Sequence, residues 1–341
     1  QSSWRETLIT TTFYYTRWNV SLIDIYYKLP YFARYPIFVM KGYFQAKMRY
    51  GNGFLSYFKE LKANENMNHE EILNIQNEKL RNLLIYSYEN VRYYKKIFRA
   101  SDFNPYTYKD FRDVSKIPIL TKDIIRNNYE DLIAEKIPKN RYFVHKTGGT
   151  TQEPLYFCLP KELKGPINYA TMYRFYSWAN VNFRDKRVSI AGRIITKKPP
   201  YYMYNAAENQ LYVCAHYLNN KKNLVDIIRA IKKFDPSFIQ GHPSAIDIMA
   251  NYMRHENIII PVKAVFTTSE NLYPDQRENI EMQFQTKVFD TYGMGEMVAM
   301  ASECVTHNGY HLAPEYGYTE IINAEKYESG CGEIISTSLY N

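Results

Sequence analysis

The sequence predicts an α/β fold, a mostly parallel sheet with helices on its faces, preceded by a helical segment. Two patterns carry this. From about residue 143, short β-like runs alternate with stretches of helical periodicity, as when strands are joined by helical crossovers. Pro243 and Pro274 each stand just inside a predicted helix, where a missing N–H costs nothing.

Residues 1–60 read as a basic, aromatic helical extension. They hold eight Lys/Arg against three acids, within a chain whose formal net charge is +8. Their Tyr, Phe and Trp suit either of two roles: packing on the main domain, or contact with an anionic membrane through basic heads and amphipathic rings. Residues 61–341 are expected to form the main domain. Glu70 to Phe98 places Ile72, Leu73, Leu80, Leu83, Leu84 and Tyr88 near a 3.6-residue period, predicting a helix. Residues 99–120 look irregular, and Thr121 is a suitable N-cap for a helix over 122–126. Predicted strands follow at Leu155–Leu159, Arg187–Ala191, Ser237–Gln240, Ala264–Thr268 and Lys287–Asp290. Helices are predicted at 163–180, 222–234, 243–256 and 274–284, then strands at Thr319–Ile322 and Glu333–Ser336.

Composition excludes several classes. A hydrophobic fraction of 45% and an aromatic fraction of 16% supply a core, which disordered chains lack. Four scattered cysteines (158, 214, 304 and 331) make no disulfide framework, so a reducing, cytoplasmic setting is expected. Lys28, Arg34 and Lys41 interrupt the most apolar stretch, so no spanning helix is predicted. Nucleic acid is not expected as a partner: no run of five basic residues, RNP-like motif or zinc-finger spacing occurs.

Glycine is scarce, 14 in 341 residues, so its clusters are informative. The first is His145-Lys146-Thr147-Gly148-Gly149-Thr150-Thr151-Gln152-Glu153-Pro154-Leu155. Adjacent glycines let backbone N–H groups converge on phosphate oxygens, with hydroxyls as further donors. A polar turn is the alternative, and no Walker A lysine follows. The second is Asp290-Thr291-Tyr292-Gly293-Met294-Gly295-Glu296, projecting from the carboxyl end of a predicted strand, where parallel sheets bind ligands. Tyr292 offers a flat face for a purine, and Glu296 a hard oxygen for Mg²⁺. Between them, Thr267-Thr268-Ser269-Glu270 closes another predicted strand.

Thr147–Leu155, Thr268-Ser269-Glu270 and Tyr292-Gly293-Met294-Gly295-Glu296 resemble, in order, the three nucleotide motifs of adenylate-forming enzymes, the acyl-CoA synthetase superfamily. Tyr93-Tyr94-Lys95, Ile117–Lys122, Gly241-His242-Pro243-Ser244 and Glu303-Cys304 through Gly309-Tyr310-His311 resemble its phenylacetate–CoA ligase branch, which includes capsular-polysaccharide-associated CapK-like members. The resemblance implies the large N-terminal domain of that fold. It implies that Thr147, Gly148, Gly149, Thr150 and Thr151 hold the ATP phosphates, with Thr150 and Glu296 catalytic. Ser269, Glu270, Asp290, Tyr292 and Gly293 would bind the nucleotide, Glu296 would bind Mg²⁺, and Gly241, His242 and Pro243 would lie near a carboxylate substrate. The implied reaction is ATP-dependent formation of an acyl-adenylate, then transfer to coenzyme A or another acceptor.

The pattern departs from the family in three places. Gln152 stands where glycine is usual and Glu153 where lysine is common, and Gly295 replaces the usual residue before the glutamate. The sequence also ends before the family's ribose-binding aspartate, hinge and small C-terminal domain, so this chain alone is not expected to complete the cycle. The alternative is a non-catalytic or acyl- or aminoacyl-transferring CapK-like protein in capsular polysaccharide assembly at the membrane surface. Cys304, His307, His311 and Cys331 have the chemical types for tetrahedral Zn²⁺, but the spacing matches no standard finger and partly buried cysteines with surface histidines are the favoured reading. Monomer and homodimer both stay open.

Overall fold

The computed structural model describes residues 20–147, 154–323 and 331–341. Three helices open it: α1 (Val20–Lys28), α2 (Tyr31–Arg49) and α3 (Phe54–Asn64). Helix α2 buries one face, carrying Arg34, Gly42 and Arg49. A Cβ at Gly42 would fall 2.4 Å from the Asn205 side chain, so the missing side chain lets helix and sheet approach.

Helix α4 (His69–Asn90) starts at a capping box in which Asn68 accepts from Glu71 N and Glu71 accepts from Asn68 N. The single helix predicted over 70–98 breaks at Val91, with φ −120° and ψ 113°, and resumes as α5 (Arg92–Ala100). Two long-range bonds hold the break: Tyr93 N donates to Asp131 O (3.1 Å) and Glu135 N to Asn90 O (2.8 Å). Tertiary partners here replace the helical ladder. Residues 101–120 form short turns, and Thr121 caps α6 (Lys122–Asn127) by accepting from Ile124 N.

Strands β1 (Tyr142–Lys146) and β2 (Tyr156–Pro160) pair as an antiparallel hairpin. One widened turn, Leu163–Ile167, leads into α7 (Asn168–Trp178). There follow β3 (Arg187–Ala191), β4 (Tyr202–Asn205), β5 (Gln210–Cys214), α8 (Lys221–Phe234), β6 (Phe238–Gly241), α9 (Pro243–His255), β7 (Ala264–Thr268), α10 (Pro274–Phe284) and β8 (Val288–Gly293). The last strands are β9 (Met300–Glu303), β10 (Tyr310–Leu312), β11 (Gly317–Ile322) and β12 (Glu333–Ser338).

Eight strands form the main sheet in the order β10-β9-β8-β7-β6-β3-β5-β4. The inner strands β8, β7, β6, β3 and β5 are parallel, and antiparallel strands close both edges. The mostly parallel α/β sheet predicted from the sequence is therefore present. On one face, Val188, Ile190, Ile239, Val265 and Val288 pack against Ile228 of α8, Ile246 and Met249 of α9, and Ile280 of α10. On the other, Phe238, Phe266 and Phe289 pack against Phe54 of α3 and Tyr173 and Tyr176 of α7.

That second face changes character along the sheet. Over β6, β7 and β8 it is aromatic. Over β3 and β5 the residues in register with Phe238 are Arg187 and Gln210, followed by Ser189 and Tyr212. The lower part of the molecule is tied together by Gln76, which donates to Pro314 O and Gly317 O (both 3.0 Å). A buried Arg174–Glu315 pair, 2.9 Å apart and joined by Asn64, also holds it.

Candidate functional site

Parallel strands deliver their C-terminal residues to one edge, and the residues singled out on β6, β7 and β8 collect there. Strand β6 ends at Gly241 and passes to His242 and Pro243, β7 runs into Ser269 and Glu270, and β8 carries Asp290, Tyr292 and Gly293. Gly241 is closely packed, since a Cβ there would lie 2.4 Å from Ile190 O on the neighbouring β3. His242 N donates to the same Ile190 carbonyl at 3.3 Å, which fixes the start of α9 against the sheet.

The turn after β7 has Ser269 at φ 73°, an uncommon conformation for a residue with a side chain. It presents Glu270, whose carboxylate accepts from Ser244 Oγ (2.6 Å) and Ser244 N (3.3 Å) at the first turn of α9. An anion at a helix N-terminus is favourable. His242 Nδ1 lies 3.9 Å from Glu270 and is buried without a hydrogen bond. Glu270, His242 and Ser244 thus form one cluster; Ser244 had been singled out only within the Gly241–Ser244 string.

Asp290 is buried, and its two carboxylate oxygens accept from the hydroxyls of Thr267 and Tyr310. Its backbone N donates to Glu303 (2.8 Å), whose carboxylate Arg277 holds at 2.8 and 2.9 Å. Asp290 is therefore a rigid element beneath the edge. Tyr310, absent from the predicted site, was signalled only by its place before His311. Tyr292 and Gly293 are exposed, and Glu296 is half-buried just beyond them. Burial and the nearby Glu296 carboxylate hold the Tyr292 phenol above its ordinary value. Among the described residues Glu296 takes no hydrogen bond or ion pair, so its oxygens fit a hard cation such as Mg²⁺.

The β1–β2 hairpin frames the glycine-rich stretch. Thr147 N donates to Leu155 O (3.0 Å) and Leu155 N to Thr147 Oγ1 (3.1 Å), closing the base of that loop. Gly148, Gly149, Thr150 and Thr151 lie outside the described residues. His145, at the end of β1, is pushed down to about 4 by burial and then by the Lys164 ammonium, 3.3 Å away.

The Zn²⁺ set does not assemble. Cys304 Sγ lies 3.2 Å from His311 Nε2 and 3.1 Å from Thr306 Oγ1, while the His307 ring lies tilted against Phe289, 4.8 Å between centroids, beside Glu303. Cys331 is exposed before β12, and no three His, Cys, Asp or Glu side chains among the described residues form a metal-holding group. The Cys304 thiol and the His311 imidazole contact each other, while His307 Nδ1 lies 3.5 Å from Glu303 without a hydrogen bond.

No protein-family model matches the chain. It is 27% identical over 272 residues to Protein CapK of Staphylococcus aureus, covering 77% of this chain and 58% of that protein. It is 26% identical over 304 residues to a phenylacetate-coenzyme A ligase of Aromatoleum evansii, covering 82% of this chain and 65% of that enzyme. A solved 2-hydroxyisobutyryl-CoA ligase, in complex with 2-HIB-AMP and CoA, superposes with a TM-score of 0.62 at 18% identity. That match covers 81% of this chain and 61% of the other, and shows a shared fold. This chain thus spans about three fifths of the length of the relatives it matches.

Proposed function

We propose that this chain, similar to CapK and to phenylacetate–coenzyme A ligases, serves the ATP-dependent activation of an organic carboxylate. The observation that carries this reading is the gathering of Glu270, Asp290, Tyr292 and Glu296 at the C-terminal ends of the neighbouring parallel strands β7 and β8, the usual ligand edge of such sheets. In this reading the acid's carboxylate attacks the α-phosphorus of ATP. A P–O bond to the acyl oxygen forms, the bond to the bridging oxygen breaks, and pyrophosphate leaves with the electron pair. No enzyme nucleophile is required; positioning and charge neutralisation carry the rate.

In this reading the residue roles rest on the motifs and their chemistry. Thr147, Gly148, Gly149, Thr150 and Thr151 would hold phosphate oxygens. The Tyr292 ring would cover the purine, with the Ser269 and Gly293 backbones beside it and Glu270 and Asp290 supporting the walls. Glu296 would hold Mg²⁺, which when bound neutralises phosphate charge. Gly241, His242 and Pro243 would flank the acid. Coenzyme A is the acceptor favoured by the relatives' names, and transfer to it belongs to the whole protein. Calorimetry of the folded protein with ATP–Mg²⁺ tests the reading. Binding is expected, and no heat at millimolar nucleotide contradicts it.

A peripheral membrane contact is a second reading, favoured by one observation. On α2, Phe32, Met40, Tyr43 and Phe44 are 78, 58, 59 and 63% exposed, a stripe at helical spacing flanked by exposed Lys28, Lys41 and Lys47. Apolar rings beside basic heads match the face of an interfacial helix. No helix among the described residues is long and apolar enough to cross a membrane, so this contact would lie on the surface.

A further inference from the structure

A sheet covered on both faces is ordinarily apolar on both. This one breaks that rule over β3, β5 and β6, where Arg187, Ser189, Gln210, Tyr212 and Gln240 face inward on the side covered by α7 and α2. Their side chains enclose a cavity of about 150 Å³, which Arg49, Tyr169, Met172, Ala191 and Arg193 complete. Such local violations of core patterning are characteristic of functional sites.

The charges inside do not balance. Arg49 pairs with Glu208 at 2.5 Å, and Tyr212 donates to the same carboxylate at 2.7 Å. Arg187 is 3% exposed, and among the described residues no carboxylate lies within ion-pair distance of it. Its guanidinium donates to Gln210 Oε1 (2.5 Å) and reaches Gln240 Oε1 (3.5 Å), while its Nε is buried without a hydrogen bond. Glu208 serves two arginines, and Arg193 adds a third positive charge over the Tyr212 ring at the mouth. A buried guanidinium with one carboxylate shared elsewhere lacks a counter-charge.

The strand-end side of the cavity, at Ala191 and Arg193, lies level with the candidate site. Ile190 pairs with Gly241, so Ala191 stands level with His242. The Arg187 backbone lies four residues deeper, but its guanidinium sits between Gln210, rooted at its own level, and Gln240, rooted at the Ser189 level, which is only two residues or about 7 Å below Ala191. We infer that this cavity receives the far end of the acid, and that the acid carries a second anionic group there, a short dicarboxylate in the simplest case. Size agrees. An apolar cavity of this volume accepts benzene, so a fragment of about six heavy atoms fits, but this lining selects a charged one. Arg187 would meet the distal carboxylate as a fork, with Gln210, Gln240 and Ser189 completing its hydrogen bonds. The inference rests on the proposed acid activation for the position of the reacting carboxylate, but not for the anion affinity of the cavity.

The test measures binding by calorimetry to the full-length protein, with and without ATP–Mg²⁺, using glutarate and adipate against pentanoate, hexanoate and phenylacetate. The dicarboxylates are expected to bind at least about tenfold more tightly than monocarboxylates of equal length. Arg187→Gln should bring that ratio close to one and leave ATP–Mg²⁺ affinity unchanged. Should Arg187→Gln fail to fold, Ser189→Leu, which fills the cavity from a half-buried position, should abolish the preference instead. Equal affinity of the wild-type protein for both kinds of acid overturns the inference whatever the variants do, because it would leave Arg187 to internal water. Dicarboxylate preference without nucleotide binding supports the inference and defeats the proposed function; nucleotide binding without the preference does the reverse.

Discussion

Replacing Gly241 with alanine puts a methyl group where the β3–β6 strand pair has no room. The added carbon would lie 2.4 Å from Ile190 O, 3.0 Å from Ile190 Cβ and 3.2 Å from Ile190 C. Two of those atoms are backbone, so relief requires the strands to separate rather than a side chain to rotate. Overpacking of this kind costs about 1–3 kcal/mol, with the upper end expected against backbone. Unfolding entropy near 2.1 cal/mol/K per residue makes that about a 1.5–4 °C fall in Tm for a chain of this length. Gly192 supplies the control one strand away: a Cβ there meets only His216 Nε2 at 3.7 Å, ordinary contact, and its φ lies outside the strained region. Gly192→Ala should therefore be neutral, or slightly stabilising through a less flexible unfolded chain. Strand separation in Gly241→Ala would also break the His242 N to Ile190 O bond, so acid affinity should fall with stability. Calorimetric melting of both variants decides. If Gly241→Ala melts with wild type, the packing argument for this edge is wrong.

Glu296→Gln should weaken ATP–Mg²⁺ at least about tenfold, roughly 1.4 kcal/mol, while metal-free AMP binding changes little; equal losses would mark a structural carboxylate. His145 should make stability pH-dependent. Its folded-state pKa lies below the unfolded value, so as pH falls from about 6.5 toward about 4 the unfolded chain takes a proton that the folded chain refuses, and stability is lost over that window. Screening of its half-exposed ring keeps the effect modest. His145→Gln should flatten that part of the denaturation profile, and an unchanged slope would remove His145 as its source. Phe32→Ser with Phe44→Ser should lower cosedimentation with anionic vesicles by about tenfold or more without altering the circular dichroism spectrum, since both rings are exposed. Unchanged cosedimentation, or none by the wild-type protein at low salt, would end the membrane reading.

The alternation of strands and helices after residue 143 was legible because each run is long enough to show its period: β3, β7 and α10 fall where their patterns put them. Other features were set by partners distant in sequence. Val91 fits the helical period, yet Asp131 and Glu135 supply hydrogen bonds that end the helix there. Strands β4 and β5 were invisible because β5 mixes Gln210 and Tyr212 with apolar neighbours, and only the cavity explains why those polar groups are buried. Arg187 at a strand start reads as a solvent-facing end, so its burial could not be anticipated. At the candidate site, Glu270 and Asp290 were found from motif order, whereas their partners Ser244 and Tyr310 follow from the folded sheet edge.

Acid activation by ATP is the central claim, and its first half-reaction is reversible and observable without knowledge of the acceptor. Full-length protein is incubated with ATP, Mg²⁺, labelled pyrophosphate and a carboxylate panel that includes glutarate, adipate, hexanoate and phenylacetate. The account predicts label entering ATP only when both Mg²⁺ and an acid are present, and strongly reduced exchange in Glu296→Gln. Folded protein that binds ATP–Mg²⁺ but returns no label with any acid would contradict it.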